Sequence, residues 1–322
     1  MRPEPARPSG PPVWQVWAAL GSIYVIWGST YLAIRIVVET LPPFLSAGVR
    51  FVIAGVLLAA WLVARDGAGR LRASRTELRG AAVVGVSLLL FGNGFVQMGE
   101  RDVPSGLTAL LIGSVPLWVV VYRRLAGERI GGLTLAGVLL GFAGVGLLAL
   151  PRGVSGEVAP LGLAFILVAA AAWAWGTFVS KRLRLPRDPL VSTTYQQLLG
   201  GAGLLVAALV TGEAFALDPS AWSARSLAAL AFLVVFGSLV AFSAYTWLLV
   251  HVPVSIVATY AYVNPVVAVL LGALVLAEPV TSSILVGAAM VITAVAFIVR
   301  QQGPPPVEQV IVPAEEARTP AR

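Results

Sequence analysis

Long apolar stretches alternate with short polar connections along the whole chain. A helix needs about 20 residues to cross a hydrocarbon layer of about 30 Å, and the apolar stretches have that length. The pattern therefore predicts an all-α polytopic membrane protein with ten transmembrane helices. They are expected at 13–35, 44–64, 80–98, 104–122, 132–150, 159–179, 190–211, 226–249, 253–276 and 281–299. Turn residues mark the connections, as in "ETLPPF" and "LPRDPL".

Composition agrees with lipid as the main solvent of this chain. Only 11% of the residues are charged and 58% are apolar, whereas a soluble domain carries about 25% charged residues. The lipid bilayer is thus an expected partner. Residues 1–12 and 300–322 differ from the rest in being polar and rich in proline, and we predict that they are disordered tails.

The net charge of +7 is explained by where the basic residues stand. With the N-terminus placed inside, 17 Arg and Lys fall on one face of the predicted topology and four on the other. Such an excess marks the cytoplasmic side. We therefore expect both termini in the cytoplasm, a bacterial-type cytoplasmic (inner) membrane location, and no nucleic-acid partner.

The two halves of the chain repeat one another. Six motifs recur in the same order at offsets between 145 and 150 residues. The pairs are "WGST" at Trp27 with "WGTF" at Trp175, Pro43 with Pro189, "FGN" at Phe91 with "FGS" at Phe236, Val103-Pro104 with Val252-Pro253, Pro116 with Pro265, and Glu128 with Glu278. Five spans are an odd number, so the second copy must enter the membrane from the opposite side. We predict two inverted five-helix repeats, 13–150 and 159–299, as in many secondary transporters.

Two prolines at matching places predict interrupted helices. Pro265 has no N–H for the carbonyl of Ala261, and Pro116 has the same effect on Ile112. Freed carbonyls are tolerated at membrane depth where they line a wet cavity, so such breaks point to a transport site. A simple packing kink is the alternative.

Polar and aromatic residues near these breaks are the other cavity candidates. Near Pro265 the candidates are Tyr260, Tyr262 and Asn264, and elsewhere they are Trp27, Ser29, Thr30, Asn93, Gln97, Trp175 and Ser238. Tryptophan offers a broad surface for stacking on a substrate, while the amides and hydroxyls offer hydrogen bonds. For the tryptophan–glycine motifs the alternative is close helix packing. For Asn264 it is a hydrogen bond that joins two helices.

Charged residues inside the predicted spans are rare. Arg50 is the basic residue well inside a span, where it either snorkels to the surface, attracts a substrate carboxylate or braces the outer gate. All 15 acidic residues fall in loops, tails or span ends. Glu100 is the carboxylate nearest the expected cavity, and proton coupling through it and uncoupled facilitation both remain open.

Motifs of enzymes and cofactor sites do not occur in the sequence. There is no HExxH, P-loop or nucleophile elbow, and the single histidine lies at a span end. We expect no enzyme activity, no catalytic residue, no metal and no cofactor. The sequence "GVLLG" from Gly137 is a GxxxG motif, which predicts close helix packing either within the fold or in a homodimer.

Four sequence stretches carry a family resemblance. "WGSTYLAIRIVVETLPPFLSAGVRF", "GNG" at Gly92, "VPSG" at Val103 and "YAYVNPVVAVLLG" at Tyr260 resemble the drug/metabolite transporter superfamily, and in it the ten-helix exporters built from two EamA domains. The resemblance implies a secondary transporter with a central cavity between the repeats. It would export small metabolites, amino acids or drug-like compounds by alternating access. An importer or an uncoupled bidirectional facilitator is the alternative within transport, and a membrane enzyme or scaffold the alternative outside it.

Overall fold

The computed structural model describes residues 11–149, 159–252, 254–257 and 259–301, and its regular elements there are all helical. The predicted disordered tails fall almost entirely outside these residues. Ten apolar segments, here called spans 1 to 10, follow one another. They are Val13–Val37; Pro43–Asp66; Arg75–Gly99; Ser105–Ile112 with Val115–Leu125; Gly132–Ala149; Pro160–Ser180; Pro189–Val210; Ala224–Phe232 with Leu233–Val240 and Ala241–His251; Val254–Val257 with Tyr260–Leu276; and Ser282–Gln301.

The helical class and the number of spans are confirmed. Eight segments are long and apolar enough to cross a membrane by themselves, and the shorter apolar helices Tyr260–Leu276 and Ser282–Ile298 complete the set. Local sequence explains several boundaries. Pro43, Pro160 and Pro189 stand in the first turns of their helices, where the missing N–H costs nothing. Span 3 begins at a capping box between Ser74 and Glu77.

Corresponding spans of the two halves pack against each other in antiparallel directions. In spans 2 and 7, Gly48 lies against Leu205 and Gly55 lies against Leu198. Residue numbers rise along one helix as they fall along the other. Because span 7 is the counterpart of span 2, the two halves are inverted relative to each other, as the odd number of spans predicted.

Spans 5 and 10 show the same antiparallel arrangement. A Cβ atom added at Gly141 would lie 3.1 Å from the Cβ of Ala294, and one added at Gly144 would lie 2.8 Å from that of Met290. The predicted GxxxG face, Gly137 and Gly141, is thus occupied by span 10 of the same chain. A homodimer is not required to bury it.

The remaining spans enclose the centre of the molecule in a symmetric way. Span 1 packs against spans 8 and 9, and its counterpart span 6 packs against spans 3 and 4. Spans 3 and 4 of the first half correspond to spans 8 and 9 of the second, so the two halves make equivalent contacts with each other. Spans 3 and 8 each contain a π-helical stretch, Val86–Gly94 and Leu233–Val240, which the sequence pattern did not predict. These stretches carry the "FGN" and "FGS" motifs and border the centre.

Candidate functional site

A cavity of about 140 Å³ lies at the centre, between the two halves. Its wall is built by the middle of spans 1, 2, 3, 4, 6, 8 and 9. Eight of the residues singled out from sequence lie in this wall: Trp27, Thr30, Arg50, Asn93, Pro116, Tyr260, Asn264 and Pro265. The structure thus brings together residues that are up to 238 positions apart in the printed sequence.

The other five candidates lie outside the wall. The hydroxyl of Ser29 donates to the carbonyl of Ile26 in its own helix. Gln97 is fully buried and accepts a hydrogen bond from the hydroxyl of Ser46. Tyr262 packs against a buried apolar cluster of spans 4, 5, 6 and 10.

Trp175 and Ser238 differ from these in what they contact. Trp175 is 44% exposed and packs on Tyr122 and Phe178. The motif copies at Trp27 and Trp175 are therefore not used alike. Ser238 is fully buried just behind the wall, where it contacts Arg50.

Trp27 forms an aromatic wall together with residues of spans 8 and 9. Its ring lies 5.6 Å from Phe242 and 5.1 Å from Tyr260, in edge-on geometry. The indole N–H donates to the carbonyl of Gly237 at 3.2 Å. The adjacent Gly28 lies so close to span 9 that a Cβ atom would stand 2.6 Å from that of Val267. In the first copy Trp27 lines the cavity and Gly28 allows close packing on span 9, while stacking of the indole on a substrate stays a prediction.

Asn264 lies at the cavity and also contacts a neighbouring helix. It lines the cavity and is largely buried. With its amide oriented to satisfy both partners, the nitrogen donates to the carbonyls of Tyr24 and Tyr260, each at 3.3 Å. Asn264 therefore joins span 1 to span 9 at the edge of the cavity.

Arg50 points inward. Its side chain is buried, and Nε donates to the hydroxyl of Ser238 at 3.0 Å. The guanidinium lies 4.6 Å from the ring centre of Phe51, close enough for a cation–π contact. The π-helical stretch of span 8 places Ser238 and Gly237 here, and a Cβ atom at Gly237 would lie 3.2 Å from Nη2 of Arg50. The snorkelling arrangement is not the one observed.

The two prolines interrupt their spans differently. Span 4 breaks between Ile112 and Val115, and Pro116 stands at the start of the second segment. Span 9 breaks before Tyr260, and Pro265 lies inside the helix that follows. A break at the same position in both copies was expected. In span 9 the helix continues through the proline, because only the bond to the Ala261 carbonyl is lost.

Sequence reasoning missed several aromatic residues of the wall: Tyr31, Phe51, Trp173 and Phe242. A signal was present for two of them. Tyr31 follows Trp27 by four residues, which places both on one face of span 1. Trp173 stands two residues before Trp175 in "AWAWG". Its ring packs on Gly92 of span 3 so closely that a Cβ atom added at Gly92 would lie only 2.8 Å from it.

Carboxylates lie at both ends of this central assembly. At the predicted outer end, Glu278 accepts hydrogen bonds from the backbone N–H groups of Ser105 and Gly106, at 2.7 and 3.0 Å. The carboxyl of Glu100 nearby is fully buried, and neither oxygen has a partner among the described residues. Burial, reinforced by the Glu278 carboxylate, raises the pKa of Glu100 well above its ordinary value, while Arg35 acts in the opposite direction.

Glu128, the counterpart of Glu278, has quite different partners. It accepts hydrogen bonds from Arg123 at 2.6 Å and from Arg182 at 2.9 Å. The hydrogen bond from Arg123 is the main cause that lowers the pKa of Glu128. The two ends of the pseudo-symmetric assembly are thus held by different chemistry.

Comparisons with known proteins agree with this architecture. The chain is 39% identical over 258 residues to the "Uncharacterized inner membrane transporter YedA" of Escherichia coli (strain K12), covering 80% of this chain and 81% of that protein. It is 29% identical over 295 residues to the "WAT1-related protein At3g02690, chloroplastic" of Arabidopsis thaliana, covering 88% and 69%. A solved crystal structure superposes with a TM-score of 0.60 at 21% identity over 88% of this chain and 96% of that one, which supports the fold.

The family assignment rests on both halves of the chain. The profile of the EamA-like transporter family matches residues 13–150 and again residues 160–300. These two matches coincide with the two inverted sets of five spans that enclose the cavity. The chain belongs to the EamA-like transporter family.

Proposed function

We propose that this protein is a secondary transporter of the cytoplasmic (inner) membrane, with both termini in the cytoplasm. It exports small metabolites, amino acids or drug-like compounds by alternating access. One observation carries the proposal: the central cavity is lined by spans of both inverted repeats. Rocking of one repeat against the other around such a site would open it to each side in turn. The name of the Escherichia coli relative, an inner membrane transporter, supports the location.

Transport is tested by counterflow in proteoliposomes. Purified protein is reconstituted and screened with radiolabelled amino acids and metabolites, and a carrier gives saturable counterflow that unlabelled solute competes away. Trp27→Ala should reduce this flux at least tenfold, because it removes a wall of the cavity. The matched control is Trp175→Ala, which alters the same motif outside the cavity and should retain the flux. Equal loss in both variants, or no exchanged solute with folded protein, overturns the proposal.

Direction requires a separate measurement. In vesicles of defined orientation, export predicts net solute movement from the cytoplasmic face under the driving gradient. Net movement only in the opposite direction favours an importer, and equal rates both ways without any gradient favour a facilitator.

The chain has no cysteine, so Asn93→Cys and Asn264→Cys can each be labelled alone. Protection of both from maleimide by the transported solute is expected.

A further inference from the structure

We infer that the cavity takes a monoanion with a flat apolar body, such as an aromatic monocarboxylate, and that Arg50 selects its charge. This inference rests on the proposal that the cavity is the substrate site. It narrows the substrate to one chemical class and assigns the specificity to one residue.

The Arg50 guanidinium is held in place but is not neutralised. The side chain is 5% exposed, Nε is bound to Ser238, and one face lies over Phe51. Nη1 is buried and finds no hydrogen-bond partner among the described residues. These contacts fix the orientation of the group, and this residue of the cavity wall keeps a hydrogen-bond donor that no described residue uses.

A buried cation without a counter-ion is costly: where a buried ion pair exists, removing one of its two members strongly destabilises the protein. None of the described residues that line the cavity is an aspartate or glutamate. The protein therefore supplies a fixed positive charge and no fixed negative charge at this depth. An ionised solute oxygen is the group that would complete the guanidinium, through a charge-assisted hydrogen bond in a site of low dielectric constant.

The number of charges distinguishes among anions. Arg50 is the one basic residue among the described residues that line the cavity. It balances a monocarboxylate, whereas a phosphate dianion would bring a second, unbalanced negative charge. A zwitterionic amino acid would bring an ammonium group, for which this wall offers no carboxylate. The charge balance thus favours a simple monocarboxylate over both.

Apart from Arg50 and the polar side chains of Thr30, Asn93 and Asn264, the wall is mostly apolar and fits an apolar planar body. Six aromatic side chains contribute to it: Trp27, Tyr31, Phe51, Trp173, Phe242 and Tyr260. Aromatic rings bury large apolar areas and prefer edge-on or offset contact with another ring. Trp27 already contacts Phe242 and Tyr260 in this way, so these rings form a continuous aromatic surface at the cavity, against which a planar solute would pack.

The test uses four probes of nearly the same shape and different charge. They are 3-phenylpropionate, its neutral amide, L-phenylalanine and phenyl phosphate. Binding to the detergent-purified full chain is measured by the shift in thermal unfolding against probe concentration. We expect 3-phenylpropionate to bind at least tenfold more tightly than the other three.

Variants assign the preference to Arg50. Arg50→Gln should weaken the binding of 3-phenylpropionate at least tenfold and leave the binding of the amide unchanged. The variant should then no longer distinguish the acid from the amide. Ser238→Ala keeps the charge and removes the bond that orients it, and it should weaken the carboxylate by a smaller factor. This variant keeps the inference testable if Arg50→Gln does not fold. Arg225→Gln is the matched control, because Arg225 is exposed and faces Glu39 at 3.8 Å, outside the cavity.

Failure of this inference differs from failure of the proposed function. Equal binding of the acid and the amide, no binding of the acid to folded protein, or full discrimination in Arg50→Gln overturns the charge assignment. The counterflow dependent on Trp27 is unaffected by any of these results. Absence of counterflow for every solute would instead overturn the transport proposal.

Discussion

Replacing Glu278 by alanine should weaken the contact between spans 4 and 9 at the predicted outer end. The Glu278 carboxylate accepts hydrogen bonds from the N–H groups of Ser105 and Gly106, which stand in the first turn of span 4. Both of those residues are buried. The variant would leave two helix N-terminal donors without an acceptor and would remove a negative charge from the positive end of the helix dipole.

The magnitude follows from the number of bonds lost. Hydrogen bonds between membrane helices contribute about 0.6 kcal/mol on average and up to about 1.7 kcal/mol, and bonds to a charged group lie toward the upper end of such ranges. Two bonds to the Glu278 carboxylate therefore predict a loss of about 1–3 kcal/mol in the free energy of unfolding. A loss of about 2 kcal/mol would raise the unfolding constant roughly thirtyfold.

Equilibrium unfolding in mixed micelles, followed by the fluorescence of the nine tryptophans, measures this loss. The control is Glu128→Ala, the same substitution at the corresponding position of the other repeat. Glu128 is 37% exposed and pairs with side chains of similar exposure, and such surface pairs contribute little. We expect a clearly smaller effect there. An equal or larger loss in Glu128→Ala would refute the reasoning, because the helix cap would then not be the stronger of the two contacts.

Three further predictions test the fold and its electrostatics. Gly48→Ala should destabilise the protein by about 1–3 kcal/mol through overpacking. Gly146→Ala is the control, because a Cβ atom added there would have no neighbour within 4 Å, and it should be neutral or stabilising. Chemical unfolding measures the stability of both variants. Because burial raises the pKa of Glu100, its protonated form favours the folded state, so thermal stability should fall as pH rises above about 4.3. Glu100→Gln should flatten that profile, and an unchanged slope would contradict it. Cysteines placed at Gly69 and Ser220, in the connections after spans 2 and 7, should react with an impermeant maleimide from opposite sides of the membrane.

The sequence predicted the scaffold because its signals are long and repeated. Each span depends on about 20 residues of apolar pattern, so a few misplaced ends do not matter. The inversion followed from an odd number of spans per copy, and the structure confirms it where Gly48 and Gly55 of span 2 run antiparallel to span 7. The glycine motif of span 5 predicted close packing, and span 10 is its partner.

The cavity was harder to predict, because its wall depends on the rotation of each helix about its own axis. Trp27 and Trp175 occupy equivalent motifs, yet only Trp27 faces the cavity, while Trp173 of span 6 lines it instead. The π-helical stretches of spans 3 and 8 change such rotations locally, and the apolar pattern carries no mark of them. Gln97 is buried and Tyr262 is partly buried in contacts between helices, where the same polar side chains serve packing.

Departures from internal symmetry are therefore the most informative positions in this chain. At the offset of 146 residues that relates Pro43 to Pro189, Arg50 corresponds to Gln196. Gln196 donates to Ser192 in its own helix and does not line the cavity. If the charge served only to hold spans 2 and 8 together, a neutral hydrogen-bonding residue at that place would do the same without the cost of a buried cation. One repeat carries the charge and its counterpart does not, although both have the same scaffold. This difference fits a role in recognising a solute that itself has one charged end.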